Sequence, residues 1–242
     1  MKGFSAYAKK RIKILSDYLT KFAKNPGYEL LHKIRLEIKK IKAILNITEF
    51  CVKGFNVHKR YVPYRNIFRR AGEIRQADIV TDLLQLYKIK APQINRGKPD
   101  KLISSFQKEL PMFISSIEKK QGKLIESFDK VNQSRFRKYL DLKKDKLRKH
   151  LYPRLNLTAL HKARKTIKEI LYLSPVTKKS RAELDPFYNK LQVLIGQWHD
   201  KQIVVMMLDT TKYPVQRKVL SNECRKDIKK IKLLVDQFYR AQ

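Results

Sequence analysis

Residues 31–45 read Leu31-His-Lys-Ile-Arg-Leu-Glu-Ile-Lys-Lys-Ile-Lys-Ala-Ile-Leu45. On an α-helix of about 3.6 residues per turn, Leu30, Leu31, Ile34, Ile38, Ile41, Ile44 and Leu45 share one broad apolar face. His32, Arg35, Lys39 and Lys42 follow one another at i, i+3, i+7 and i+10, so they form a narrow stripe beside that face. Groups of one sign stacked in a line repel each other, and a solvated helix face ordinarily scatters its charges or alternates their signs. A same-sign stripe bordering the buried face therefore predicts a polyanion lying along it.

The stretch recurs. Residues 160–174 read Leu160-His-Lys-Ala-Arg-Lys-Thr-Ile-Lys-Glu-Ile-Leu-Tyr-Leu-Ser174. His161, Arg164 and Lys168 match His32, Arg35 and Lys39 at an offset of 161 − 32 = 129, and Leu171 stands where Lys42 stood. Lys165 adds a further cation next to Arg164. A second motif follows each copy: Gly72-Glu-Ile-Arg-Gln-Ala-Asp-Ile-Val80 pairs with Gly196-Gln-Trp-His-Asp-Lys-Gln-Ile-Val204, at an offset of 196 − 72 = 124. Two motifs in the same order at nearly the same offset predict an internal duplication.

This order, LHxxRxxxKxxK, then GxxRxxDxV, then LHxxRxxxK with a following Tyr, then GxxHDxxxV, resembles the conserved histidine α-helical domain (CHAD) family over roughly residues 25–240. The sequence departs from the family pattern at Gln76 and at Leu171. The resemblance implies an all-helical, pseudo-twofold fold that binds inorganic polyphosphate rather than catalysing a reaction. It further implies association with polyphosphate granules.

The bulk composition agrees with a folded, basic protein. The chain has 242 residues, enough for a substantial core, and 43% hydrophobic content, well above that of a disordered basic tail. Fifty-six Lys and Arg against 22 Asp and Glu give a net charge of +34. Self-repulsion on that scale opposes compaction unless counterions or a polyanion neutralise it. Nucleic acid, an anionic membrane and polyphosphate are therefore the expected partner classes. Cys51 and Cys224 are too few for a disulfide framework and read as free thiols, although the sequence alone leaves a single bridge open. The N-terminus is charged within ten residues and lacks an apolar signal core. No run reaches the length of a membrane span. A cytoplasmic protein is expected.

Few glycines and abundant Lys, Leu and Ile favour helix. The pattern predicts helices over 4–24, 28–51 and 64–88, with 52–63 as a linker containing Gly54 and Pro63. Residues 89–99 form the next loop. A long helical region over 100–150 follows, with Pro111 expected to kink or restart it and Gly122 and Asn132 as further possible breaks. Asn156 or Thr158 caps the second stripe helix, and Ser174-Pro175 ends it. Residues 176–186 read as a basic loop closed by Asp185-Pro186, and helices over 186–209 and 215–240 complete the chain. The expected fold is all-α, eight to ten helices in an internally duplicated, pseudo-twofold arrangement of two bundles. It is read as a single domain over 1–242 with halves at 1–120 and 121–242.

The candidate anion-binding set is His32, Arg35, Lys39, Lys42, Arg65, Arg69, Arg75, His161, Arg164, Lys165 and Lys168. Arg suits bidentate contact with phosphate oxygens and Lys acts as a mobile point charge. His, with a reference pKa of about 6.5, adds a switchable one. A lone histidine would be read as tethered to a backbone carbonyl at the core's edge; recurrence with Arg and Lys favours a ligand role. Arg65, Arg69 and Gly72 share a face of the third helix, with Arg75 near its edge. Gly72 is read as a site of close helix–helix approach, or as a gap admitting a phosphate chain. The cation-dense stretch 135–150 reads as a solvated face. Tyr172 and Trp198 read as packing residues.

Two rivals stand beside polyphosphate binding. Charge alone would hold nucleic acid at low salt, but no recognisable nucleic-acid-binding motif accompanies it. His199-Asp200 matches the dipeptide of HD-type metal phosphohydrolases, yet His32, His58, His150 and His161 lie among cations that repel a metal ion, and no P-loop is present. No cofactor, no metal and no catalytic residue is expected.

Overall fold

The computed structural model describes residues 1–86, 99–177, 181–208 and 212–241, with side chains omitted at 75–86, 99–100 and 181–185. Among these all regular secondary structure is helical: α1 (Lys2–Lys24), α2 (Tyr28–Cys51), α3 (Val57–Leu86), α4 (Pro99–Asp129), α5 (Gln133–Leu151), α6 (Leu160–Leu173), α7 (Arg181–Met207) and α8 (Pro214–Arg240), with short 3₁₀ turns at Leu157–Ala159 and Ser174–Val176. None of the described helices is long and apolar enough to cross a membrane.

The described residues form two compact units. The first holds α1, α2, α3 as far as Asp82, α4 and the start of α5 up to Tyr139. Its core follows the heptad-like spacing of the sequence. Phe4, Ile12, Leu15, Leu19 and Phe22 of α1 are buried with Ile34, Ile38 and Ile41 of α2 and with Phe106, Leu110 and Phe128 of α4. Phe4 meets Phe128 edge-on at 6.1 Å and Phe22 meets Phe106 at 5.3 Å, the geometry that aromatic quadrupoles favour. α3 is tied to α4 by Arg70, which donates through Nε and Nη2 to the Glu109 carboxylate and through Nη1 to Glu73.

The second unit contains the end of α3 and residues from Leu140 onward. Leu147 and Leu151 of α5, Leu160, Ala163, Ile167 and Ile170 of α6, Leu191 and Ile195 of α7, and Ile231 and Val235 of α8 make its core. Phe187 stacks on Phe238 at 3.6 Å. Cys51 and Cys224 are buried, free thiols.

Several boundaries depart from the sequence reading. The 52–63 linker shrinks, because Asn56 caps α3: its Oδ1 accepts from the Lys59 amide, and the Val57 amide is taken up by Glu49. Pro63 then lies inside the helix. The missing amide costs one ladder bond, but Val57, Tyr64, Ile67 and Ala71 are all buried, so the apolar face carries the helix through. Pro111 and Gly122 likewise stay within α4, and the break falls at Asn132, whose side chain caps α5 through the Arg135 amide. Asp185-Pro186 does not close a loop; Pro186 lies within α7, which starts at Arg181. Asn156 caps the 3₁₀ turn that leads into α6, accepting from the Ala159 amide and the Thr158 hydroxyl.

Candidate anion-binding site

In the first unit the stripe of α2 lies against α3. Arg35 Nη1 donates to the Phe68 carbonyl at 2.7 Å, and its guanidinium carbon sits 4.1 Å from the centre of the Phe68 ring. Lys39 Nζ is 5.8 Å from the same ring. Lys42 Nζ is 4.5 Å from the centre of the Tyr61 ring. The pairs run in opposite senses along the two helices, so the helices are antiparallel, and the seven-residue spacing of Tyr61 and Phe68 sets Phe68 beside Arg35 and Lys39 and Tyr61 beside Lys42. A ring face holds a cation without neutralising it. Burial pushes the Tyr61 hydroxyl up to about 12, against the pull of Arg35 and Arg65, which lie near it. Arg35, Lys39, Lys42 and Arg65 are thus gathered around two aromatic rings of α3. His32 at the start of the stripe is exposed, as are Arg65 and Arg69. The Arg75 side chain lies outside the described residues.

In the second unit the stripe of α6 lies against α7. Arg164 Nε donates to the Gln192 carbonyl at 3.2 Å. His161 meets His199 with ring centres 4.6 Å apart, and Trp198 stands beside His199 at 6.5 Å. His161 Nδ1 is buried without a hydrogen-bond partner among the described residues. Its pKa is held below the ordinary histidine value by burial, then by Lys165, His199 and Arg164. Lys168 is half-buried and Lys165 exposed on the same helix. α6 is fixed to α5 through Lys143, which donates to Glu169 at 2.8 Å.

The two glycine motifs explain the two arginines. Phe68 lies four residues before Gly72, and Gln192 lies four residues before Gly196. A helical side chain leans toward the N-terminus and covers the turn before it, so a side chain at 72 or 196 would cover the carbonyl that each arginine uses. A Cβ at Gly72 would lie 2.6 Å from Arg35 Nη1, and one at Gly196 would lie 2.8 Å from Arg164 Nη2. The close approach expected at Gly72 is therefore made by an arginine from the neighbouring helix.

Phe68, Tyr61, Gln192 and His199 were not in the sequence-based set. The aromatic spacing in α3 was a usable signal. The Gln192 contact had none, because it is made through the main chain. Among the described residues, His, Cys, Asp and Glu side chains do not gather in threes that could hold a metal ion. No protein-family model matches the chain, and no curated protein matches it.

Proposed function

We propose that this protein binds inorganic polyphosphate through the basic stripes of α2 and α6, acting as a binding module rather than a catalyst. One observation carries the reading: in each unit a stripe arginine is anchored to a carbonyl of the facing helix beside a glycine, with a lysine one turn further along the stripe. Such anchoring reduces the side-chain entropy lost when an anion is bound. The net charge of +34 supplies the long-range attraction. The shared arrangement supports reading the two helix pairs as copies of one ancestral unit in a pseudo-twofold, CHAD-like fold. On that reading each stripe grips an extended anion with a charge at each repeat. A cytoplasmic location on polyphosphate granules belongs to the same proposal.

Calorimetric titration with long-chain polyphosphate at physiological ionic strength is the direct test, and saturable binding is the expected result. Nucleic acid is the rival ligand. Polyphosphate should displace a bound oligonucleotide at that salt, and the oligonucleotide should not displace polyphosphate; the opposite order would replace this reading by non-specific nucleic-acid binding.

A further inference from the structure

Building on the polyphosphate reading, we propose that Gly72 and Gly196 are positioning residues of the anion site. Each opens a notch in the facing helix that seats the stripe arginine and fixes the plane of its guanidinium for phosphate.

Among the described glycines the geometry is specific to these two positions. Gly3 and Gly122 also lie in helices, yet a Cβ at either would meet nothing within 4 Å. At Gly196 most of the guanidinium is close: Nη2, Nε and Cζ of Arg164 would lie 2.8, 3.1 and 3.2 Å from a Cβ. At Gly72 the contact centres on Nη1, the atom that also donates to Phe68. A carbonyl oxygen has two lone pairs, so the Phe68 and Gln192 carbonyls can each serve the helix ladder and an arginine together. The donation needs an unobstructed flank, and that flank is where the side chain four residues later would lie.

The obstructed atoms belong to the end of a flexible side chain. An alanine at 72 or 196 therefore displaces the arginine and leaves the helices in place. An arginine released from its carbonyl keeps its charge but loses its fixed fork, and a bidentate contact depends on that fork. The glycines thus act on affinity through the arginines. In the absence of the arginine, the same glycine is only a weak spot in a helix.

The test compares Gly72→Ala and Gly196→Ala, Arg35→Ala and Arg164→Ala, and the two matching double variants, with Gly122→Ala as control. Affinity for long-chain polyphosphate is measured at physiological ionic strength, and thermal melting without ligand. Each glycine variant should weaken binding about tenfold, the scale of one hydrogen bond to a charged group. Neither should weaken it further when its arginine is already alanine. In those arginine-free backgrounds, adding Gly→Ala should raise the melting temperature by about 2–4 °C, as helix propensity alone dictates. In the presence of the arginine it should raise melting less, or lower it. Gly122→Ala should leave affinity unchanged.

Equal loss of affinity with and without the arginine would overturn the proposal, because the glycine would then act through helix packing. Unchanged affinity in both glycine variants would also overturn it. A wild type that binds no polyphosphate removes the proposed function and this role with it. The ligand-free melting comparison separates that result from failure of the notch, since it would still reveal arginine–glycine coupling.

Discussion

The α2–α3 and α6–α7 pairs share one device and differ around it. Both set a stripe arginine on a carbonyl four residues before a glycine. In the first pair, the lysines then lie over Phe68 and Tyr61. In the second, the fourth cation is replaced by Leu171, and the other end of the stripe carries the His161–His199 contact. The second pair therefore adds, beside its permanent charges, a partly buried imidazole packed on a second one. The arginine device is thus common to both pairs, and the surroundings differ.

Removing the shared device should have the largest effect. Replacing Arg35, Lys39, Arg164 and Lys168 together by Ala should weaken polyphosphate binding at least about a hundredfold, given about 1.5–3 kcal/mol for each hydrogen bond to a charged group. Circular dichroism should retain the helical signal. The same number of replacements at Arg137, Lys138, Lys146 and Lys149, all exposed on α5, should cost much less. Equal damage would mean that net charge, and not the stripe, makes the site.

The difference between the pairs is sharpened by pH. His161 has a lowered pKa in the anion-free protein, and a bound anion favours its protonation. Binding should therefore take up protons, and affinity should rise as pH falls from 8 to 6, by up to about tenfold for each unit of pKa change. Titration in buffers of different ionisation enthalpy would count the protons, and His161→Asn should reduce the uptake. The same affinity at both pH values in the wild type would erase this contrast between the pairs.

A smaller effect is expected from exchanging the fourth position. Leu171→Lys should tighten binding a few-fold and Lys42→Leu should weaken it by a similar factor, the scale of an exposed ionic contact. Binding titrations of both variants check whether the two stripes are used alike.

The smallest effect concerns the free protein. Because the folded state holds His161 below its unfolded pKa, the unfolded chain binds the extra proton, so stability should fall as pH drops through about 6.5. Thermal melts between pH 7.5 and 5.5 should show that trend, and His161→Asn should reduce its slope.

Much of the fold was legible because it rests on local periodicity. α2, α6 and α8 begin and end within a residue or so of the expected places, since each combines a strong apolar face with a nearby proline, glycine or cap. α3 and α7 were misjudged at their starts, where Pro63 and Pro186 were read as breaks. A single proline removes one ladder bond, and in α3 the residues buried on either side of Pro63 outweigh it. The histidines illustrate the limit for the site: His32 and His161 occupy matching positions, yet one is exposed and the other packs on His199.

The sequence by itself determined where cations and apolar groups alternate, because helical phase follows from spacing alone. It also determined that Arg35 and Arg164 are each followed by a glycine helix. The tertiary structure alone decided what those arginines hold. Their acceptors are carbonyls 33 and 28 residues away along the chain, and every residue carries a carbonyl whatever its side chain. Which carbonyl is reached depends on how two helices pack and on where a missing Cβ leaves room.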